Sequence, residues 1–329
     1  MRAIRLHRPG GPEVLVEEEL PTPEPGAGQV RVRAEAIGAG RPDVLVRKGT
    51  YKWMPPLPAI PGAELVGIVD ALGAGADAGL LGRRVLVSAR ELPQRGGCYA
   101  THICVPASAP YLLPDSIDPV DAISLPNFQL AEALLRANGG QAVDSLLVLG
   151  AAGGVASALT QLARSRGIRV LGTASTADKA AFARANGVDA LLPRDPAALP
   201  DAVMAATAGR GVDLAFDHLG ADWLIACIRS LAPLGMAVSY NVVQGPPSRD
   251  VFQLMRELLG RSLALRTFSM HTFDEQPALR RALMDTAIGR MAAGEVKAPP
   301  ACRMPLSDAR AAHELLDAGS SIGKIVLLP

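Results

Sequence analysis

Cysteine is scarce in this chain: four among 329 residues, at positions 98, 104, 227 and 302. So few, so scattered, exclude a disulfide framework at this length and point to reduced thiols in a cytoplasmic protein. Charge of one sign is lacking too. The 33 basic and 32 acidic residues leave a formal net charge of +1, which offers no field to attract nucleic acid or an anionic membrane surface. Aromatics make up 4% of the residues, and His7, His102, His218, His271 and His313 lack the spacing of metal ligands or of a Ser-His-Asp set. The opening MRAIRLHRPGG has no apolar run of the kind a signal peptide needs. The one long apolar stretch, 145–163, is interrupted by glycines and by Gln161, and reads as strand, turn and helix rather than as a membrane span. No internal repeat or low-complexity segment is present.

What is present is concentrated at 145–156, SLLVLGAAGGVA. An apolar strand runs into a turn of small residues and then into an amphipathic helix, the order a dinucleotide-binding βα turn requires. Gly153 lets the backbone approach a pyrophosphate, and Ala156 permits close packing of helix on strand. The helix N-terminus offers unpaired N–H groups to the anion. The three-glycine fingerprint is altered, with Ala151 and Ala156 at its outer positions and Gly150 and Gly154 in addition. Ala152, Gly153, Gly154 and Val155 are the expected contacts. The next strand, 168–173, ends in Ala174-Ser175-Thr176 and lacks the acid that binds a ribose 2′-hydroxyl, since Asp178 already falls in the following helix. Ser175, Lys179 and Arg194 are left to receive a 2′-phosphate, which makes NADPH the expected cofactor.

Three regions differ in texture. Residues 1–120 hold β-branched runs at 30–39, 65–72, 83–89 and 101–105, broken by Pro and Gly turns, the pattern of a β-barrel. Residues 121–265 alternate strands at 145–150, 168–173, 189–192, 212–217, 235–240 and 262–267 with helices at 153–166, 177–186, 197–208 and 220–232. That alternation predicts βαβ units and a parallel sheet, hence an α/β fold. Residues 268–329 hold helices at 275–293 and 307–318 and a last strand, 324–328, that returns to the first domain.

Five segments carry a resemblance: PDVLVRKGTY (42–51), LPAIPGAELVGIV (57–69), LLVLGAAGGVASALTQLARSRGIRVLGTAST (146–176), VDLAFDHLG (212–220) and GKIVLLP (323–329). In this order and spacing they resemble the zinc-independent quinone oxidoreductases of the medium-chain dehydrogenase/reductase superfamily, over nearly the whole chain. The resemblance implies a GroES-like β-barrel catalytic domain over 1–120, completed by 268–329, and a doubly wound Rossmann NADP(H)-binding domain over 121–267. It also implies a homodimer that reduces quinones or enones with NADPH. Zinc enzymes of similar fold need Cys where this chain has Gly40 and His where it has Ala63, and Cys98 and Cys104 lack the partners of a structural zinc lobe. Glu64 alone falls short of the three or four donors that tetrahedral zinc takes, so no metal is expected.

Hydride arriving at an acceptor leaves negative charge on its oxygen, and a donor must meet it. Tyr51 closes the Arg47-x-Gly49-x-Tyr51 motif, whose family counterpart lies near the nicotinamide, and is the candidate catalytic residue. Asp43 and Arg47 are expected to pair and set this loop. The resemblance places Asn241 and Phe268 beside the nicotinamide and Lys324 near the cofactor. Arg194 stands in for a Tyr at the 2′-phosphate. Gly40 replaces an Asn on the ribose, and Leu130 a Thr on the carboxamide. Two polar contacts worth about 1 kcal/mol each are thereby absent, with Asn127 as the candidate to compensate.

Three functions stand open on the sequence. The first is an NADPH-dependent quinone or enone reductase. The second is a trans-acting enoyl-thioester reductase of lipid or polyketide synthesis, with Arg256, Arg261 and Arg266 as a patch for a carrier protein. The third is an NADPH-binding redox-responsive or structural protein with little turnover.

Overall fold

The run QVRVRAEAIGA alternates apolar and polar residues, and in the computed structural model, which describes all residues Met1–Pro329, it forms the longest strand. Two units are present: Met1–Pro126 together with Met284–Pro329, and Asn127–Leu283. The chain begins with β1 (Arg2–Leu6), β2 (Leu15–Glu19), β3 (Gln29–Ala39), α1 (Arg41–Arg47) and β4 (Glu64–Leu72). It continues through β5 (Arg84–Ser88), β6 (His102–Pro106), β7 (Tyr111–Leu112), α2 (Pro119–Ala122) and α3 (Leu125–Arg136). Next come β8 (Ser145–Val148), α4 (Gly154–Arg164), β9 (Arg169–Thr173), α5 (Ala177–Ala185), β10 (Ala190–Leu192) and α6 (Leu199–Ala206). Then follow β11 (Val212–Asp217), α7 (Ala221–Arg229), β12 (Leu231–Ser239), α8 (Val251–Glu257) and β13 (Ala264–Thr267). The chain closes with α9 (Pro277–Ala292), β14 (Ala301–Pro305), α10 (Ala309–Ala318) and β15 (Lys324–Leu328).

The first unit is a seven-stranded sheet, in the order β14-β15-β3-β4-β5-β7 with β6 also paired to β3, beside the β1–β2 hairpin. Its inward residues, among them Val30, Val32, Ile37, Leu65, Val69, Val85 and Tyr99, form one buried cluster with Ile325 and Leu327 of the last strand. Each such Val, Ile or Leu contributes about 1.5–3 kcal/mol by leaving water. The last strand lies antiparallel to β3, with Ile325 opposite Ala39 and Leu327 opposite Ile37.

The second unit holds six strands, all parallel, in the order β10-β9-β8-β11-β12-β13. Its apolar strands read as continuous runs because helices cover both faces of such a sheet. Leu147, Leu171, Val212 and Ala237 pack with Leu199, Val203, Trp223 and Ile228 of α6 and α7. The order reverses direction between β8 and β11, the switch point where a doubly wound sheet binds ligands outside its carboxyl ends.

Four helices carried no signal in the sequence reading: α1, α2, α3 and α8. In α1 the Val-Leu-Val run has strand propensity, but Pro42 in the first turn and the Asp43 carboxylate, which accepts from Gly40 N at 2.9 Å, start a helix instead. The sheet strand expected at 235–240 begins earlier, at Leu231. All four cysteines are free thiols. No helix is long and apolar enough to cross a membrane.

Candidate cofactor and active site

In the second unit the first strand, β8, hands the chain to Gly150, whose φ of +59° is left-handed and suits a residue without Cβ. Gly150 N donates to Thr173 Oγ1 at 3.1 Å and Ala151 N to Thr173 O at 2.8 Å, which ties the turn to the end of β9. Gly153 caps α4, with extended backbone and an exposed surface. The N–H groups of Gly154, Val155 and Ala156 sit in the first helical turn, where no intrahelical carbonyl reaches them. Ala152 is buried and presents backbone only. A Cβ on Gly154 would lie 2.4 Å from Asn127 Nδ2, so glycine here makes room for the Asn127 amide at the mouth of the turn.

At the end of β9, Ser175 is exposed, and Thr176 rather than Ser175 caps α5, its hydroxyl accepting from Lys179 N at 3.3 Å. Partial burial, and then the nearby positive charge of Arg194, push the Lys179 ammonium below its usual range. Lys179 in the first turn of α5 and Arg194 beyond β10 thus bear on one another electrostatically. That arrangement opposes itself and is relieved when an anion sits between them.

The end of β11 supplies a group the sequence reading passed over. Asp217 is fully buried and accepts from Leu219 N at 2.9 Å, Gly220 N at 3.1 Å and Ser239 Oγ at 3.3 Å. Burial raises its carboxyl above the ordinary range despite these donors. The signal was available: an acid directly follows the apolar run Leu214–Phe216 at the strand's carboxyl end. Around it the segment 240–245 is clipped to 217–221, through Tyr240 N to Asp217 O at 2.9 Å, Gln244 N to Leu219 O at 2.7 Å and Ala221 N to Gly245 O at 3.0 Å. Asn241 therefore sits in a braced loop, its own Oδ1 accepting from Val242 N at 2.8 Å. Gly220 has φ +74°, and a Cβ there would lie 2.2 Å from Gly245 O. The His218 ring reaches within 3.2 Å of the space a Cβ on Gly150 would fill, so β8 and β11 meet at the switch point. Phe268 N donates to Ser239 O at 2.8 Å, and the Phe268 ring packs with Leu130, Ala133, Met270 and Phe273. Leu130 is thereby part of an apolar cluster.

Every cofactor residue expected in this unit follows the carboxyl end of a strand of the one parallel sheet. Ala152–Val155 follow β8, Ser175 and Lys179 follow β9, Arg194 follows β10, Asn241 follows β12 and Phe268 follows β13. Of the three arginines read as a carrier patch, Arg261 is spent on the backbone, donating to Arg229 O at 3.1 Å and Leu231 O at 3.3 Å.

The first unit holds Tyr51 and Lys324. Tyr51 packs with Leu6, Val14, Val46 and Met54, and its ring lies 5.7 Å from that of Trp53. Lys324 is buried and ion-paired through Nζ to Glu64, also buried, on β4. The expected pairing of Asp43 with Arg47 is not formed. Arg47 is fully buried and donates to Asp317 Oδ2 at 2.6 Å, with His313 Nδ1 at 3.5 Å, while Asp43 turns to Gly40 N and toward Glu64 and Lys324. The reason is burial. A guanidinium with no water needs a strong acceptor, and Asp317, which also holds Lys48 at 2.9 Å, supplies it from α10.

Comparison with known proteins agrees with this geometry. Residues 26–115 match the alcohol dehydrogenase GroES-like domain family, and residues 154–284 match the zinc-binding dehydrogenase family. A quinone oxidoreductase of Rattus norvegicus is 30% identical over 338 residues, covering 100% of this chain and 98% of the relative. A 2-haloacrylate reductase of a Burkholderia species is also 30% identical, covering 99% of this chain and 98% of its own length. Among solved structures, a mycobacterial protein complexed with NADPH superposes with a TM-score of 0.89 at 32% identity, over 100% of both chains. Escherichia coli quinone oxidoreductase complexed with NADPH gives a TM-score of 0.87 at 27% identity, again over 100% of both chains. With full-length relatives, both family domains and the doubly wound sheet in agreement, the chain belongs to the quinone oxidoreductase family of the medium-chain dehydrogenase/reductase superfamily.

Proposed function

We propose that this chain is an NADPH-dependent oxidoreductase that passes hydride to a quinone or to the activated C=C of an enone, without zinc. The observation that carries the reading is that Lys179 and Arg194 follow the carboxyl ends of the neighbouring parallel strands β9 and β10, where no acid competes for a ribose. A 2′-phosphate is the anion that such a pair fits, with the Ser175 hydroxyl beside it. The pyrophosphate falls to the first turn of α4 at Gly153, Gly154 and Val155, over the Ala152 backbone. Asn241 and Phe268 take the nicotinamide side. That relatives of similar fold were solved with NADPH supports the same assignment.

NADPH supplies the hydride; the chain's own residues orient and neutralise. Tyr51 is the proposed hydrogen-bond donor to the acceptor oxygen as charge develops there. Zinc is left out on the chemistry of the donors: Gly40 and Ala63 have none, and Glu64 is engaged by Lys324. The relative named for reducing 2-haloacrylate supports an activated C=C as one acceptor type. Dimerisation belongs to the same proposal. It is supported by the open edge at β13 and by Phe252, 75% exposed on the neighbouring helix α8.

The test is oxidation of NADPH by the purified protein with quinones, simple enones and enoyl thioesters, with NADH as control. NADPH-preferring turnover of quinones or enones is the expected result. Turnover of thioesters alone would move the assignment to an enoyl-thioester reductase. Tight NADPH binding with no turnover would refute the reductase reading.

A further inference from the structure

The amino ends of the second unit's strands carry a cleft that the cofactor reading does not use. Its volume is about 390 Å³, within the range of small-molecule sites. Every residue that lines it belongs to the second unit. Leu135 comes from the end of α3, Val143 from the approach to β8, Ile168 from the approach to β9 and Leu214 from β11. The residues expected to hold NADPH follow the carboxyl ends of strands in the same sheet, so the two places lie at opposite edges of it.

Two arginines line the cleft: Arg136, which ends α3, and Arg166, just beyond α4. Both turn to one acid. Arg166 Nη2 donates to Glu132 Oε2 at 2.6 Å, and Arg136 Nε stands 3.9 Å from the same oxygen. Glu132 is fully buried, so it fixes both guanidiniums from below. Other acids at this edge are matched elsewhere. Arg164 pairs with Asp189 at 2.6 Å. Arg210, on a neighbouring cleft, pairs with Asp213 at 2.6 Å and lies 4.0 Å from Asp144. One positive charge is therefore in surplus at the first cleft. At 3.9 Å Arg136 is beyond hydrogen-bond range of Glu132, which leaves its fork of N–H donors for another acceptor. A cation in the last turn of a helix also offsets the macrodipole. That role requires neither a second guanidinium on the same acid nor an apolar floor, and here the buried Leu135, Ile168 and Leu214 supply one. The Asn138 amide is committed to the rim, its Nδ2 donating to Gln141 O at 2.7 Å and its Oδ1 accepting from Gly140 N at 3.0 Å. The guanidinium forks are thus the charged groups offered to a ligand.

We propose that this cleft is a second ligand site, for a small organic anion with one carboxylate and a flat apolar body. The carboxylate meets Arg136 and Arg166, and the body rests on Leu135, Ile168 and Leu214. A single surplus charge matches a single carboxylate, and the planar fork binds that group through two parallel hydrogen bonds. A bare inorganic ion gains nothing from the apolar floor, which is what assigns the site to an organic ligand. Occupancy is independent of the cofactor, because β8, Ser145–Val148, separates the two edges by about 13 Å at about 3.3 Å per residue.

The probe is 2-naphthoate, titrated calorimetrically into the full chain with and without saturating NADP+. The neutral 2-naphthamide and sodium sulfate serve as controls. One naphthoate per chain is expected to bind whether or not NADP+ is present, with the amide weaker by about tenfold, the scale of a charge-assisted hydrogen bond. Arg136→Gln is expected to weaken naphthoate about tenfold and leave NADPH affinity unchanged. Gln141→Glu, on the exposed rim, adds a negative charge against the surplus and is expected to act in the same direction. Unfolding midpoints matching the wild type check that both exposed substitutions leave the fold intact. Absence of naphthoate binding, equal binding of the amide, displacement by NADP+ or unchanged affinity in both variants would overturn the proposal. Competition by equimolar sulfate would reduce the cleft to a bare anion patch and overturn it as well.

Discussion

Asp43 makes a measurable claim on stability. Its carboxyl titrates near 3.8 in an unfolded chain and near 7 in the fold, where it is 2% exposed. Between those values the folded chain holds a proton that the unfolded chain has released. Stability therefore falls as pH rises: the contribution is whole below the unfolded value and declines until pH passes the folded one. At about 1.4 kcal/mol per pH unit, the loss between about pH 5 and pH 7 comes to roughly 2 kcal/mol after allowing for partial titration at the upper end. Asp43→Asn removes this slope, since an amide carries no proton to lose and still offers an oxygen to Gly40 N. The assay is urea unfolding at a series of pH values. Trp223→Phe serves as background, so that Trp53, in the same unit as Asp43, is the only tryptophan reporter. The wild-type minus Asp43→Asn difference is expected to shift by about 2 kcal/mol across that interval. A difference flat with pH would show that Asp43 is ionised throughout, and would refute the account of a buried cluster one charge too acidic.

Other expectations concern the second unit. Lys179→Ala and Arg194→Ala should each weaken NADPH binding about tenfold, the scale of one charge-assisted hydrogen bond, and leave NADH unchanged; equal losses for both nucleotides would contradict a 2′-phosphate contact. Gly220→Ala places a Cβ against Gly245 O at φ +74° and is expected to cost roughly 1–3 kcal/mol in thermal or urea unfolding. An unchanged midpoint would mean that the clip between 217–221 and 240–245 yields freely. Asp217→Ala strands the N–H groups of Leu219 and Gly220, at about 1–3 kcal/mol, and should raise KM for NADPH by loosening the Asn241 loop, whereas Asp217→Asn retains most of the affinity. A KM unmoved in the alanine variant would separate Asp217 from that loop.

Much of the second unit was legible because its signals are local. Strands such as β11, Val212–Asp217, stand out as apolar runs between turn residues, and each proposed cofactor contact lies a few residues beyond one. The cluster at Gly40 was not legible, for the opposite reason. Its members come from positions 40, 43, 64, 99 and 324, and only the register of β3, β4 and β15 brings them together. Asp43 and Arg47, close in sequence, were expected to pair and set their loop. Burial sent Arg47 instead to Asp317, 270 residues away. The Leu130 substitution looked like a lost polar contact because sequence shows the missing hydroxyl but not the apolar cluster with Phe268 that takes its place.

The antiparallel pairing of β15 with β3 bears on the order in which a ribosome delivers this molecule. The second unit is one continuous segment, Asn127–Leu283, and all of its strands are in hand before synthesis ends. The first unit must wait: β3, with its Gly38–Ala39 end, emerges early and stays without this neighbour until Lys324–Leu328 has left the exit tunnel. Until then Glu64 has no ammonium to meet, and the apolar edge of β3 is open to strangers. A chain broken before Lys324 would leave an intact Rossmann unit joined to a sheet that lacks β15.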